Sequence, residues 1–150
     1  MYKFEKLEVW NLALEYLDLV YLITERLPRD EDFNLKSQMR RAVTSIALNI
    51  AEGSTGQTDS EQARFLGHAI RSLTEIVACL RIIARRGYLI DKKDEFRVED
   101  TGLALVRKLQ AMRNVLDPTR KWARETAGGY AHYGSGSISG DMTSEESGLE

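Results

Sequence analysis

Proline, cysteine and histidine are scarce in this chain of 150 residues, and each scarcity excludes something. A single cysteine, Cys79, leaves no intrachain disulfide and suits a reducing cytoplasm. The two histidines, His68 and His132, and that one cysteine are too scattered for a metal-ligand spacing. No apolar run approaches the ~18 residues of a membrane span. The opening MYKFEKLEVW mixes charges into its apolar residues, so it does not read as a secretory signal. There is no glycine-rich phosphate loop before a lysine, no HExxH, no CxxC and no GxSxG. These absences predict a cytoplasmic protein away from the membrane, with no cofactor, no metal and no catalytic residues, and hence not an enzyme. The two prolines, Pro28 and Pro118, both fall where a helical pattern stops.

What the chain does have is helical periodicity. Hydrophobic residues make up 43% and charged residues 29%, ordinary values for a soluble domain large enough to bury a core. Around QMRRAVTSIALNIAEG, residues Leu35, Met39, Ala42, Val43, Ile46, Ala47 and Ile50 fall on one side of a helix turning about 100° per residue. That pattern predicts a central helix over 34–53, capped by Asn34 or Asp32 and stopped at Gly53. A first helix over 6–27 carries two apolar stripes, Trp10, Leu14, Leu17, Tyr21 and Leu12, Tyr16, Leu19, Ile23. A bundle helix needs only one, so the second stripe is expected to meet a neighbouring subunit. Thr58 and Glu61 fit a capping box for a third helix over 59–86, which Gly87 ends. Asp91 caps a fourth helix over 92–116 with the stripe Val98, Leu105, Leu109, Met112 and Leu116. Pro118 could begin a short extension through Trp122. The expected fold is all-α, an up-down antiparallel four-helix bundle over 1–127. Residues 128–150 are Gly/Ser-rich and acidic and contain no lysine or arginine, which predicts a disordered tail.

Single residues attract plain readings. His68 reads as a polar bundle residue and Cys79 as a small buried hydrophobe. The polar stripe Gln38, Arg41, Ser45, Asn49 and Glu52 reads as a core-edge face hydrogen-bonded to the next helix, because no nucleophile–base pair or ligand triad emerges. If the second and third helices are antiparallel, facing residue numbers share one sum. Arg41 with Glu75 and Glu52 with Arg64 both give 116, which predicts two ion pairs in one register.

Charge is uneven. Residues 1–63 carry 7 Lys+Arg against 11 Asp+Glu, residues 64–127 carry 14 against 8, and residues 128–150 carry 0 against 4. The segment charges are thus −4, +6 and −4, with a formal total of −2. The basic segment fits either a solvated face or a polyanion-binding surface. Its candidate contacts are Arg81, Arg85, Arg86, Lys92, Lys93, Arg97 and Lys108.

The LP at 27–28, QMRRAVTSIALNIAEG at 38–53, the polar segment Glu61–Phe65, RSLTE at 71–75 and GYL at 87–89 together resemble the 23S rRNA intervening sequence protein family, over roughly residues 5–117. The resemblance implies an up-down four-helix bundle assembling into a ring-shaped homopentamer, encoded within 23S rRNA genes and elsewhere in bacterial genomes. It also implies a distant likeness to the accessory protein of diversity-generating retroelements, a basic pentamer that binds nucleic acid. The net charge of this chain departs from that basic protein. The family carries no catalytic residues over. The expected function is a non-enzymatic oligomeric module binding RNA or a nucleoprotein, with Leu12, Tyr16, Leu19 and Ile23 in the subunit interface. The alternative is a protein–protein scaffold without nucleic-acid contact.

Overall fold

A computed structural model describes residues 1–56 and 58–119. The tail expected at 128–150, the end of the helical domain at 120–127 and most of the extension toward Trp122 lie outside the described residues. Among those residues the secondary structure is entirely helical. Four long helices, α1 (Glu8–Glu25), α2 (Leu35–Gly53), α3 (Asp59–Arg86) and α4 (Lys92–Leu116), are joined by short connections. α1 packs on α2 and α4, and α3 packs on α2 and α4, so α1 and α3 stand on one diagonal of a square bundle. Consecutive helices run antiparallel. α4 also returns antiparallel beside α1, with Lys108 at Glu8 and Asp94 at Arg26.

Local chemistry sets most of the boundaries. α1 starts later than the periodicity predicts, because Lys3–Lys6 forms a 3₁₀ turn instead. Phe4 in that turn packs edge-on against Trp10, with ring centroids 4.6 Å apart. The Thr58 hydroxyl accepts from the Glu61 N–H at 3.1 Å, and Asp91 Oδ1 accepts from the Lys93 N–H at 2.8 Å, as N-caps should. Gly87 ends α3 in the left-handed region at φ 73°, where a side chain would be strained. The cap of α2 differs from expectation. Asn34 occupies the N-cap position but its side chain makes no capping hydrogen bond; the Glu31 carboxylate accepts from the Leu35 N–H at 3.4 Å instead.

The core collects the predicted α2 residues, all of them buried, with Leu66, Leu73, Ile76 and Ile83 from α3 and Val98, Leu105 and Leu109 from α4. Each large side chain so buried contributes roughly 1.5–3 kcal/mol relative to exposure. Cys79 is buried at the edge of this core, as expected, and burial pushes its thiol pKa up, with the nearby Glu75 charge adding to the effect.

Two expectations are corrected here. The stripe assigned to a subunit interface lies inside the chain's own bundle: Tyr16 is 0% exposed, Leu19 4% and Ile23 1%, with Leu12 half-buried. Both neighbours of α1 pack over that stripe, and Tyr16 sits against Gly102 of α4, where an added Cβ would come within 3.1 Å of the phenol ring. The other stripe, Trp10, Leu14, Leu17 and Tyr21, flanks the core on the α2 side, and Leu14 remains exposed.

The two ion pairs are the second correction. Neither Arg41–Glu75 nor Glu52–Arg64 comes within salt-bridge distance. The antiparallel pairing itself holds, shifted by a residue or two. Ser72 Oγ donates to Ser45 Oγ at 3.1 Å, and Gly53 meets Phe65, pairs whose numbers sum to 117 and 118. The shift leaves Arg41 and Glu75 lining one groove without touching, while Arg64 lies over the Phe65 ring, 5.6 Å from its centroid.

Gly53 closes α2 as the sequence predicts, and it does so without a left-handed turn, since Gly87 is the one glycine with positive φ among the described residues. A Cβ on Gly53 would stand 2.9 Å from the Cβ of Phe65, so the missing side chain is what lets α3 approach.

Candidate functional site

The seven basic candidates do not gather into one patch. Four are engaged within the fold. Arg81 forms a two-point pair with Glu99. Lys108 Nζ reaches Glu8 Oε1 at 2.7 Å, on the α1–α4 side. Arg97 lies 3.8 Å from Asp94, a buried carboxylate that Arg26 holds more closely at 2.9 Å. Arg86 lies over the Tyr88 ring, 5.9 Å from its centroid. The other three, Arg85, Lys92 and Lys93, are exposed around the α3–α4 turn and have no carboxylate within 4 Å among the described residues.

Below that turn lies a polar cluster that sequence reasoning did not single out. Glu31 is buried, and its Oε1 accepts from the Tyr88 hydroxyl at 2.8 Å while Oε2 accepts from Asn34 Nδ2 at 2.9 Å. The Tyr88 hydrogen bond, then that of Asn34, holds the Glu31 carboxyl below its usual range. This carboxylate ties the α1–α2 connection to the α3–α4 turn. No spacing signals it, because Tyr88 stands 57 residues away.

The polar stripe of α2 faces outward beside α3, broadly as expected. Asn49 Nδ2 donates to the Ser45 carbonyl at 2.8 Å and to Ser45 Oγ at 3.0 Å, and Ser45 in turn meets Ser72. Arg41, Ser45, Ser72 and Glu75 line a shallow open groove between the two helices. On the adjacent face of the bundle, α3 and α4 enclose a more apolar groove of about 280 Å³ lined by Val77, Leu80, Leu103 and Val106, with Phe96 exposed at its edge. His68 is exposed and meets only the edge of Phe65, at 6.3 Å between ring centroids. Among the described residues no group of three or more His, Cys, Asp or Glu could hold a metal ion, and no helix is long and apolar enough to cross a membrane.

The family model described as 23S rRNA-intervening sequence protein matches residues 5–109. The chain belongs to that family. The match spans α1 to α3 and most of α4, including QMRRAVTSIALNIAEG and the exposed cations of the α3–α4 turn, so the surface described above is a surface of the family's own domain in this chain. No curated protein matches the chain.

Proposed function

We propose that this 23S rRNA-intervening sequence protein is a non-enzymatic RNA-binding module that works as a homo-oligomer. The observation that carries the reading is the placement of Arg85, Lys92 and Lys93, exposed together at one end of the bundle and uncovered by carboxylates among the described residues. The family description, with its reference to rRNA, favours RNA as the polyanion. Phosphate contacts release counterions, so binding must weaken as salt rises. Titration of a structured rRNA fragment at two salt concentrations is the test. Absence of binding at low salt, or binding indifferent to salt, defeats the proposal.

Assembly is supported by two partly apolar surfaces on opposite sides of the square. One, on α1 and α2, presents Leu14 and Leu48, and the other, on α3 and α4, presents Phe96 and Leu103 around the 280 Å³ groove. Different surfaces meeting head to tail close into a ring when the rotation permits, and five subunits is the number the family resemblance implies. A ring multiplies weak phosphate contacts by its subunit number. Leu14→Lys and Leu103→Lys should each give monomers, and an equimolar mixture of the two should give dimers, because each retains the surface the other has lost. Sedimentation of wild-type protein as a monomer at micromolar concentration, or a mixture that stays monomeric, excludes this arrangement. The same groove also suits a scaffold reading, in which a partner protein rather than RNA is bound. A partner retained after nuclease treatment, with no RNA binding by the purified protein, would favour that reading.

A further inference from the structure

The exposed edge of α3 carries a regular row of cations that continues away from the α3–α4 turn. Arg64, Arg71 and Arg85 occupy one heptad series, with Ala78 at its remaining place. Seven residues fall about 20° short of two full turns and advance about 10.5 Å, so from Arg64 to Arg85 these positions follow a ridge about 32 Å long that winds by about 60° around α3. All three arginines are exposed, and none has a carboxylate within 4 Å among the described residues.

A solvated helix face ordinarily balances such residues with acids four positions away. Here the i±4 neighbours of the three arginines are Ser60, His68, Gly67, Glu75, Arg81 and Leu89. Glu75, the one acid among these, lines the groove shared with Arg41 and forms no ion pair with Arg71, and Glu61, three residues before Arg64, forms none with Arg64.

The diagonal of the bundle supplies an independent observation. α1 holds Glu8, Glu15, Asp18 and Glu25 and no lysine or arginine, whereas α3 holds five arginines against three acids. Because α1 and α3 stand on opposite corners, the charge of the molecule is polarised across the bundle. Such a field steers a polyanion onto α3 and turns it away from α1.

We infer that the α3 ridge of Arg64, Arg71 and Arg85 is a phosphate track along which an RNA backbone lies, an assignment that rests on the RNA-binding reading above. Guanidinium groups one and two heptads apart along a helix suit the backbone of a long polyanion and leave sequence unread. Beside the ridge, Ser45, Asn49 and Ser72 supply hydroxyl and amide groups within reach of sugar hydroxyls or base edges.

The test is fluorescence anisotropy with the full chain and an end-labelled single-stranded RNA of about 20 nucleotides, long enough to follow the ridge. Arg64→Gln/Arg71→Gln should weaken binding about tenfold or more at low salt. It should also lower the magnitude of the log–log salt slope by about 1.4 per bound subunit. Lys3→Gln/Lys6→Gln, on the 3₁₀ turn before α1, removes the same charge away from the ridge and should change affinity less. Unchanged helicity by circular dichroism checks that both variants fold. If wild type binds RNA and the ridge variant binds equally well with the same slope, the ridge assignment is wrong while the RNA reading stands. If wild type binds no RNA, both fail. Ridge-dependent binding of polyglutamate without binding of RNA would overturn RNA as the occupant.

Discussion

Replacing Gly53 by alanine adds one methyl group at the closest approach of two helices. The new Cβ would stand 2.9 Å from Phe65 Cβ and 3.5 Å from the carbonyl oxygen of Gln62. Carbon atoms pack best at about 3.5–4.0 Å, so α2 and α3 must separate locally by several tenths of an ångström. Phe65 Cβ is bonded directly to its backbone, so no change of rotamer moves it away. Overpacking of this kind costs about 1–3 kcal/mol. Alanine recovers at most ~1 kcal/mol of helix propensity over glycine, and less at a terminal position. The expected net loss is therefore about 1–2 kcal/mol, or a fall in Tm of roughly 4–8 °C for a domain of this size. Thermal and urea unfolding followed by circular dichroism at fixed protein concentration would measure it. A double-mutant cycle locates the clash. Phe65→Ala keeps the offending Cβ and should leave the cost of Gly53→Ala nearly intact, whereas Phe65→Gly should relieve it. A neutral or stabilising Gly53→Ala, or equal relief by both Phe65 variants, would refute the contact argument.

Three further outcomes are expected. The Glu31 carboxyl is held below its ordinary value of 4.5, so it contributes stability that is present above that pH and lost as pH falls through the lower folded value. Tyr88→Phe should flatten the pH dependence of the urea midpoint below about pH 4.5, and a slope identical to wild type would count against the buried hydrogen bond. Thr58→Ala removes the N-cap of α3 and should cost about 1 kcal/mol in urea unfolding, where a loss below about 0.3 kcal/mol would show that the cap does not matter. Cys79 is buried and its thiol pKa is raised, so disulfide reagents should label native protein far more slowly than urea-unfolded protein; equal rates would mean the site is open.

Helix number, type and most boundaries were legible in the sequence, because they depend on interactions within a few residues. The α2 pattern, the Thr58 and Asp91 caps and the left-handed Gly87 each state their role locally, and the structure realises all of them. The pairing of α2 with α3 was legible to within two residues, since antiparallel helices joined by a short loop have little freedom in register. That residual shift was enough to separate Arg41 from Glu75, because ion pairs require an accuracy of an ångström that number sums do not carry. The dispersal of the basic candidates was not legible. Lys108 meets Glu8 a hundred residues away, and Arg81 meets Glu99 from the next helix, so which cations stay uncovered depends on how four helices are arranged.

The first helix shows where the division falls. Its sequence determined that both apolar stripes exist, since 3.6 residues per turn places Trp10, Leu14, Leu17 and Tyr21 on one line and Leu12, Tyr16, Leu19 and Ile23 on another. Periodicity is a property of one helix and contains no information about its neighbours. Only the tertiary structure decided which line is covered. α4 brings Gly102 against Tyr16, and the second stripe becomes core while Leu14 is left at the surface. Gly53 follows the same logic. Its place at the end of α2 was written in the sequence, but its reason, the Cβ of Phe65 on another helix, exists only once the chain has folded.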